Sequence, residues 1–83
     1  MNNARLSNLI DVLLGIKTKE EMKKFLLGIL TPRELDEIPR RLEIVAMLKK
    51  GISQHEIAHK LGVGIATVTR GSKEIQKGRF GNI

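Results

Sequence analysis

The residues with the clearest chemical purpose lie in one short stretch, Ile65-Ala66-Thr67-Val68-Thr69-Arg70, with Lys73 close behind it. Small apolar side chains, hydroxyls and cations follow one another there. On a helix, Ile65 and Ala66 can touch thymine methyls, and Thr69 can bond to bases or phosphates. Arg70 and Lys73 can hold phosphates. Residues 51–83 carry five cations (Lys60, Arg70, Lys73, Lys77 and Arg79) against Glu56 and Glu74. Such a balance suits a surface that meets a polyanion, although Lys77 and Arg79 also read as an ordinary solvated face.

Other chemistries lack their residues. His55 and His59 stand four apart, a spacing that lets one helix face present both to a metal. The chain has no cysteine and no third ligand near them, so no metal site is expected. No nucleophile–base pair or pair of pocketed acids occurs, so no catalytic residues are expected. Gly62-Val63-Gly64 has no lysine at phosphate-loop spacing and reads as a turn.

The whole chain sets the frame for these residues. It has 83 residues and a formal net charge of +6, with a sequence pI near 10.1. That length fits one domain and excludes an ordinary two-domain enzyme. Apolar residues are 41% but aromatics only 2% (Phe25 and Phe80), so the core must be aliphatic. No apolar run approaches the ~18 residues of a membrane span, and no signal-peptide pattern opens the chain. A cytoplasmic, nucleoid-associated protein is expected.

Three helix starts are written alike. Thr18, Thr31 and Ser53 are each followed three residues later by a glutamate: Glu21, Glu34 and Glu56. In such a capping box the hydroxyl accepts from the third amide and the glutamate reaches back to the cap amide. Pro32 suits the first helical position. The periodicity predicts helices over about 4–16, 19–27, 32–50, 54–61 and 65–77. The first has too wide an apolar stripe for a surface helix and is expected to be buried on more than one side. Leu35, Ile38, Leu42, Val45 and Leu48 make the stripe of the third, where Pro39 predicts a kink or restart. Residues 1–50 read as dimerisation helices of a single domain, 53–77 as the functional motif, and 78–83 as a frayed tail.

Residues 53–75 have the pattern of a helix-turn-helix. Ala58 is small, so the second helix can cross close to the first. Gly62 can take the left-handed conformation of a tight turn. Ile57, Leu61 and Val68 are placed to pack the two helices together. A plain helical hairpin has the same minimal pattern.

The run Gly62-Val63-Gly64-Ile65-Ala66-Thr67-Val68-Thr69-Arg70-Gly71-Ser72 resembles the turn and recognition helix of the bacterial Trp repressor family. The resemblance extends upstream through Ser53-Gln54 and Glu56 to Ile44-Val45, Arg41 and Leu30-Thr31-Pro32. It implies an all-α fold, a five-helix Trp repressor-like bundle with a helix-turn-helix, paired as an intertwined homodimer. It implies DNA contacts at Gln54, His55, Ile65, Ala66, Thr67 and Thr69. It also implies an L-tryptophan corepressor, with Arg41 and Arg70 on either side of the indole, Thr31 at its carboxylate and Gly71 as the pocket floor. A planar guanidinium stacks well on an aromatic face.

The chain departs from the family pattern at several points. Only Ile52 separates Gly51 from Ser53, where tryptophan repressors usually carry two residues. Glu74 replaces a serine near the ligand's amino group, and Ala58 replaces a DNA-contacting lysine. The family's sixth helix has no counterpart before Ile83. The expected function is that of a sequence-specific DNA-binding regulator of transcription, a repressor acting on a double-stranded operator. A ligand-independent helix-turn-helix regulator is the nearest alternative. A small helical protein-interaction module is the alternative of another class.

Overall fold

The computed structural model describes residues 3–83, and among them there is helix and turn but no strand. The helices are α1 (Asn3–Gly15), α2 (Lys19–Ile29), α3 (Pro32–Lys49), α4 (Gln54–Leu61) and α5 (Ile65–Gln76). The fold is all-α, as the periodicity and the capping signals require.

The caps explain where three of the helices begin. The hydroxyls of Thr18, Thr31 and Ser53 accept from the amides of Glu21, Glu34 and Glu56 at 3.1, 3.2 and 3.2 Å. At Thr31 the box closes from both sides, because the Thr31 amide donates to Glu34 Oε1 at 2.8 Å. At Ser53 the expected return bond gives way to an ion pair, with Glu56 Oε2 3.4 Å from Lys60 Nζ. A lysine one turn on competes well for a glutamate in this orientation.

Pro39 does not restart α3, which runs unbroken through it. A proline inside a helix removes one backbone donor and crowds the preceding turn. Here Asp36 and Arg40 brace that turn from outside. Arg40 Nη2 donates to both Asp36 carboxylate oxygens, at 3.1 and 2.9 Å.

The chain resolves into two compact units, with the boundary between Leu35 and Asp36. In the first, neither α1 nor α2 buries a residue. The broad apolar stripe of α1, expected to be covered on more than one side, is exposed in the single chain: Leu6, Val12 and Leu14 are 49, 50 and 73% exposed. A chain this short has too little surface of its own to cover every apolar face.

The second unit holds the core. Ile44 of α3, Ile57 of α4 and Val68 of α5 are buried together, with Leu48, Ala58, Leu61 and Val63 packed around them. The buried face of α3 is therefore Ile44, Val45 and Leu48, while Ile38 and Leu42 of the expected stripe are exposed. The final residues form consecutive turns. The Arg79 amide donates to the Glu74 carbonyl at 3.2 Å, and the Lys49 ammonium donates to the carbonyls of Phe80 and Ile83.

The Thr31 box has a consequence for acid stability. Its amide, and then its hydroxyl, hold Glu34 below the ordinary carboxylate value of 4.5. A carboxylate whose pKa falls on folding stabilises the fold above its unfolded value, and that help disappears as pH drops through the depressed value. Urea midpoints of the Glu34→Gln variant should therefore fall less steeply than those of the parent as pH is lowered below 4.5.

Candidate functional site

The turn between α4 and α5 is built around Gly62, the C-cap of α4, with φ 64° and ψ 36°. That left-handed conformation strains any residue with a Cβ by roughly 1–2 kcal/mol. The Val63 amide bonds back to the Ala58 carbonyl at 3.1 Å, and the chain enters α5 at Gly64. Ile57 and Val68 are each fully buried in the angle between the two helices. Residues 53–76 thus form the helix-turn-helix that the spacing predicts.

A side-chain bond ties the same two helices at their outer edge. The Thr69 hydroxyl lies 2.7 Å from Gln54 Oε1 and donates to it, with the Ile65 carbonyl 3.0 Å away as a second acceptor. Two residues expected to meet DNA separately are therefore joined. Both are half-buried, and each fixes the other's rotamer.

The exposed face of α5 carries Ile65, Ala66, Thr67, Arg70 and Lys73. A shallow depression along it is lined by Ala66, Thr69, Arg70, Lys73, Glu74 and Lys77. The cations divide into two groups. Lys60 pairs with Glu56, and Lys77 and Arg79 pair with Glu74, each at 3.4 Å. Among the described residues, Arg70 and Lys73 are in no ion pair. Their charge is available to an outside anion. His55 is exposed in the first turn of α4. His55 and His59 share that helix, and among the described residues no third metal ligand joins them.

Behind α5 lies a cavity of about 170 Å³. Its floor is apolar, made by Ile44, Val45 and Gly71, and Arg41, Thr67, Arg70, Glu74 and Phe80 complete its walls. Gly71 is there because α3 and α5 touch. A methyl group on it would sit 3.3 Å from Ile44 Cγ2 and 3.5 Å from Leu48 Cδ1. Two guanidiniums and one carboxylate around an apolar floor suit a small zwitterion with an apolar side chain. The Glu74 carboxyl is held below its usual range, first by the hydrogen bond from Lys77 and also by Arg79, so it is an anion at neutral pH.

Four of the five expected ligand residues, Arg41, Arg70, Gly71 and Glu74, meet at this cavity. Thr31 belongs to the other unit, where its hydroxyl caps α3. Thr67 faces the cavity as well as solvent. Phe80 was not foreseen. Its signal is that it is one of two aromatics in the chain and sits in a tail whose other large apolar residue is Ile83.

The model of the family described as Trp repressor protein matches residues 4–81. The chain belongs to the Trp repressor family. It is 38% identical over 69 residues to a Trp operon repressor homolog of Vibrio atlanticus (strain LGP32), a match covering 82% of this chain and 70% of that protein. It is 38% identical over 68 residues to a Trp operon repressor homolog of Vibrio cholerae serotype O1, covering 81% of this chain and 66% of that protein. It is also 30% identical over 70 residues to the uncharacterized protein YerC of Bacillus subtilis (strain 168), covering 84% and 67%. No solved structure matches the chain significantly. The Trp repressor family members that it resembles thus include proteins named as repressors and one whose role is open.

The Thr69–Gln54 bond makes the two residues a unit. Thr69→Ala and Gln54→Ala should each destabilise the fold by about 1 kcal/mol. The double variant should lose clearly less than the sum of the two. Chemical denaturation of the four proteins of the cycle measures this, and additive losses would show that the bond contributes nothing in solution.

Proposed function

We propose that this chain is a DNA-binding regulator of transcription that acts as a homodimer, represses at a palindromic operator, and uses tryptophan or a related amino acid as corepressor. The observation that carries the reading is the double position of Arg70. It stands on the exposed face of α5 beside Ala66 and Lys73 and also forms a wall of the cavity behind it. A ligand in the cavity would press on the helix that meets DNA. Membership of the family, and the names of the Vibrio relatives, point the same way.

In this reading Ile65, Ala66, Thr67 and Thr69 choose the sequence, and Gln54 and His55 contact DNA from the start of α4. Arg70 and Lys73 supply phosphate affinity. Arg41 and Arg70 flank the ligand's ring and Gly71 forms the floor. Glu74 faces the ammonium group. One observation favours a ligand-independent regulator instead: Glu74 is already paired with Lys77 and Arg79.

Dimerisation is supported by the exposed apolar side chains of α1, a surface too large to leave in water without a partner. Sedimentation at micromolar concentration should show twice the 9.3 kDa chain mass. A folded monomer there would remove the dimer from the proposal.

The function itself is tested by selecting duplexes from a random pool, with and without millimolar tryptophan. A preferred sequence separates a regulator from a protein-interaction module, which would show none. On the selected duplex, Lys73→Ala should weaken specific and random binding alike and lower the salt slope by about one. Thr69→Ala should cost roughly 1–3 kcal/mol on the selected duplex and much less on random DNA. The chain has no Trp or Tyr, so bound tryptophan can be followed by its own fluorescence. A ligand that raises operator affinity must itself bind tighter in the presence of operator.

A further inference from the structure

The wall that Phe80 adds to the cavity comes from the last turns of the chain, outside all five helices. The ring is half-buried, while Arg79, Gly81, Asn82 and Ile83 around it are exposed. Two sets of polar contacts hold this segment down. Lys49, at the end of α3, donates to the carbonyls of Phe80 and Ile83. Arg79 Nε lies 3.4 Å from Glu74 Oε2. Every one of these contacts is at the surface, where water competes and such pairs are weak.

With Phe80 in place the cavity measures about 170 Å³. A cavity of about 150 Å³ accommodates a benzene-sized molecule, and pockets for whole ligands usually begin at about 300 Å³. A single ring fits beside Phe80. A bicyclic side chain with its amino-acid backbone exceeds that volume, and the Phe80 ring stands on one side of the space it would need. Movement of the Phe80 segment takes Arg79 away from Glu74 Oε2, while Lys77 stays paired with Oε1.

We propose that the C-terminal segment is a size-selecting gate, in which the Phe80 ring, strapped down by Lys49, competes with the outer part of a bicyclic amino-acid side chain for the cavity between Arg41 and Arg70. This rests on the reading of the cavity as an amino-acid site. A gate that is closed most of the time weakens apparent binding in proportion to the open fraction. A single-ring ligand, which leaves the gate shut, escapes that penalty.

Calorimetric titration of the full chain with L-tryptophan and with L-phenylalanine tests the proposal. Phe80→Ala should raise tryptophan affinity about tenfold and phenylalanine affinity by less than about threefold. Lys49→Ala, which leaves every cavity residue intact, should move tryptophan binding in the same direction by about threefold. It also decides the matter if loss of the ring prevents folding. Phe80→Trp adds a readout that needs no ligand: its emission should lie to the blue of free tryptophan and shift red when Lys49→Ala is added. A fall or no change in tryptophan affinity in both the alanine variants overturns the gate and leaves the amino-acid site standing. So does Phe80→Trp emission that already matches free tryptophan. If no protein of the set binds either amino acid, the ligand site itself falls and the gate falls with it.

Discussion

Gly71 fixes how closely α5 approaches α3, since a methyl group there would stand 3.3 Å from Ile44 Cγ2 and 3.5 Å from Leu48 Cδ1. The buried trio of Ile44, Ile57 and Val68 depends on that approach. So does the cavity, whose floor is Gly71 with Ile44 and Val45. A methyl group at residue 71 would require Ile44 Cγ2 to give by a few tenths of an ångström and would occupy part of the cavity floor. Interiors at close-packed density transmit such a displacement instead of absorbing it. The recognition surface and the cavity are therefore two faces of one packed contact.

The polar groups are arranged around that contact with a clear division of labour. The Thr69 hydroxyl donates to Gln54 Oε1, which ties α4 to α5 and leaves the Gln54 amide protons for another partner. Lys60 is paired with Glu56, and Lys77 and Arg79 share Glu74. Arg70 and Lys73 keep their charge for an outside anion. These ion pairs do not change the formal net charge of +6, which already counts both glutamates, but they leave Arg70 and Lys73 as the cations of α5 in no ion pair among the described residues.

Residues before Leu35 obey a different constraint. The helices α1 and α2 have apolar periodicity, and Thr18 caps α2, but neither contains a fully buried residue within one chain. Helices in proteins draw most of their stability from the packing of an apolar face. The exposed side chains of α1 are the physical reason for expecting a second copy, and they explain how so short a chain can carry such an apolar first segment.

The sequence by itself determined the local features. Capping residues, helical periodicity and Gly62 placed all five helices within a few residues, because hydroxyl caps and left-handed glycines act over three or four positions. The undecamer from Gly62 to Ser72 was enough to place the family, and with it Arg41, Arg70, Gly71 and Glu74, which the fold brings to one cavity. What sequence could not settle was which partner each surface meets. Ile38, Leu42 and Val45 share one helical stripe of α3, yet the packed core buries Val45, adds Ile44 from outside the stripe, and leaves Ile38 and Leu42 exposed. Pro39 signals a kink or a restart, and α3 continues through it without a restart, with the Asp36–Arg40 pair alongside. The glutamate of a capping box can turn to a neighbouring lysine, as Glu56 does. Phe80 lies in a segment without periodicity, so no spacing rule assigns it a place. Its position beside the cavity comes from Lys49, a cation thirty-one residues earlier in the chain, and a contact across such a separation exists only once the helices between are packed.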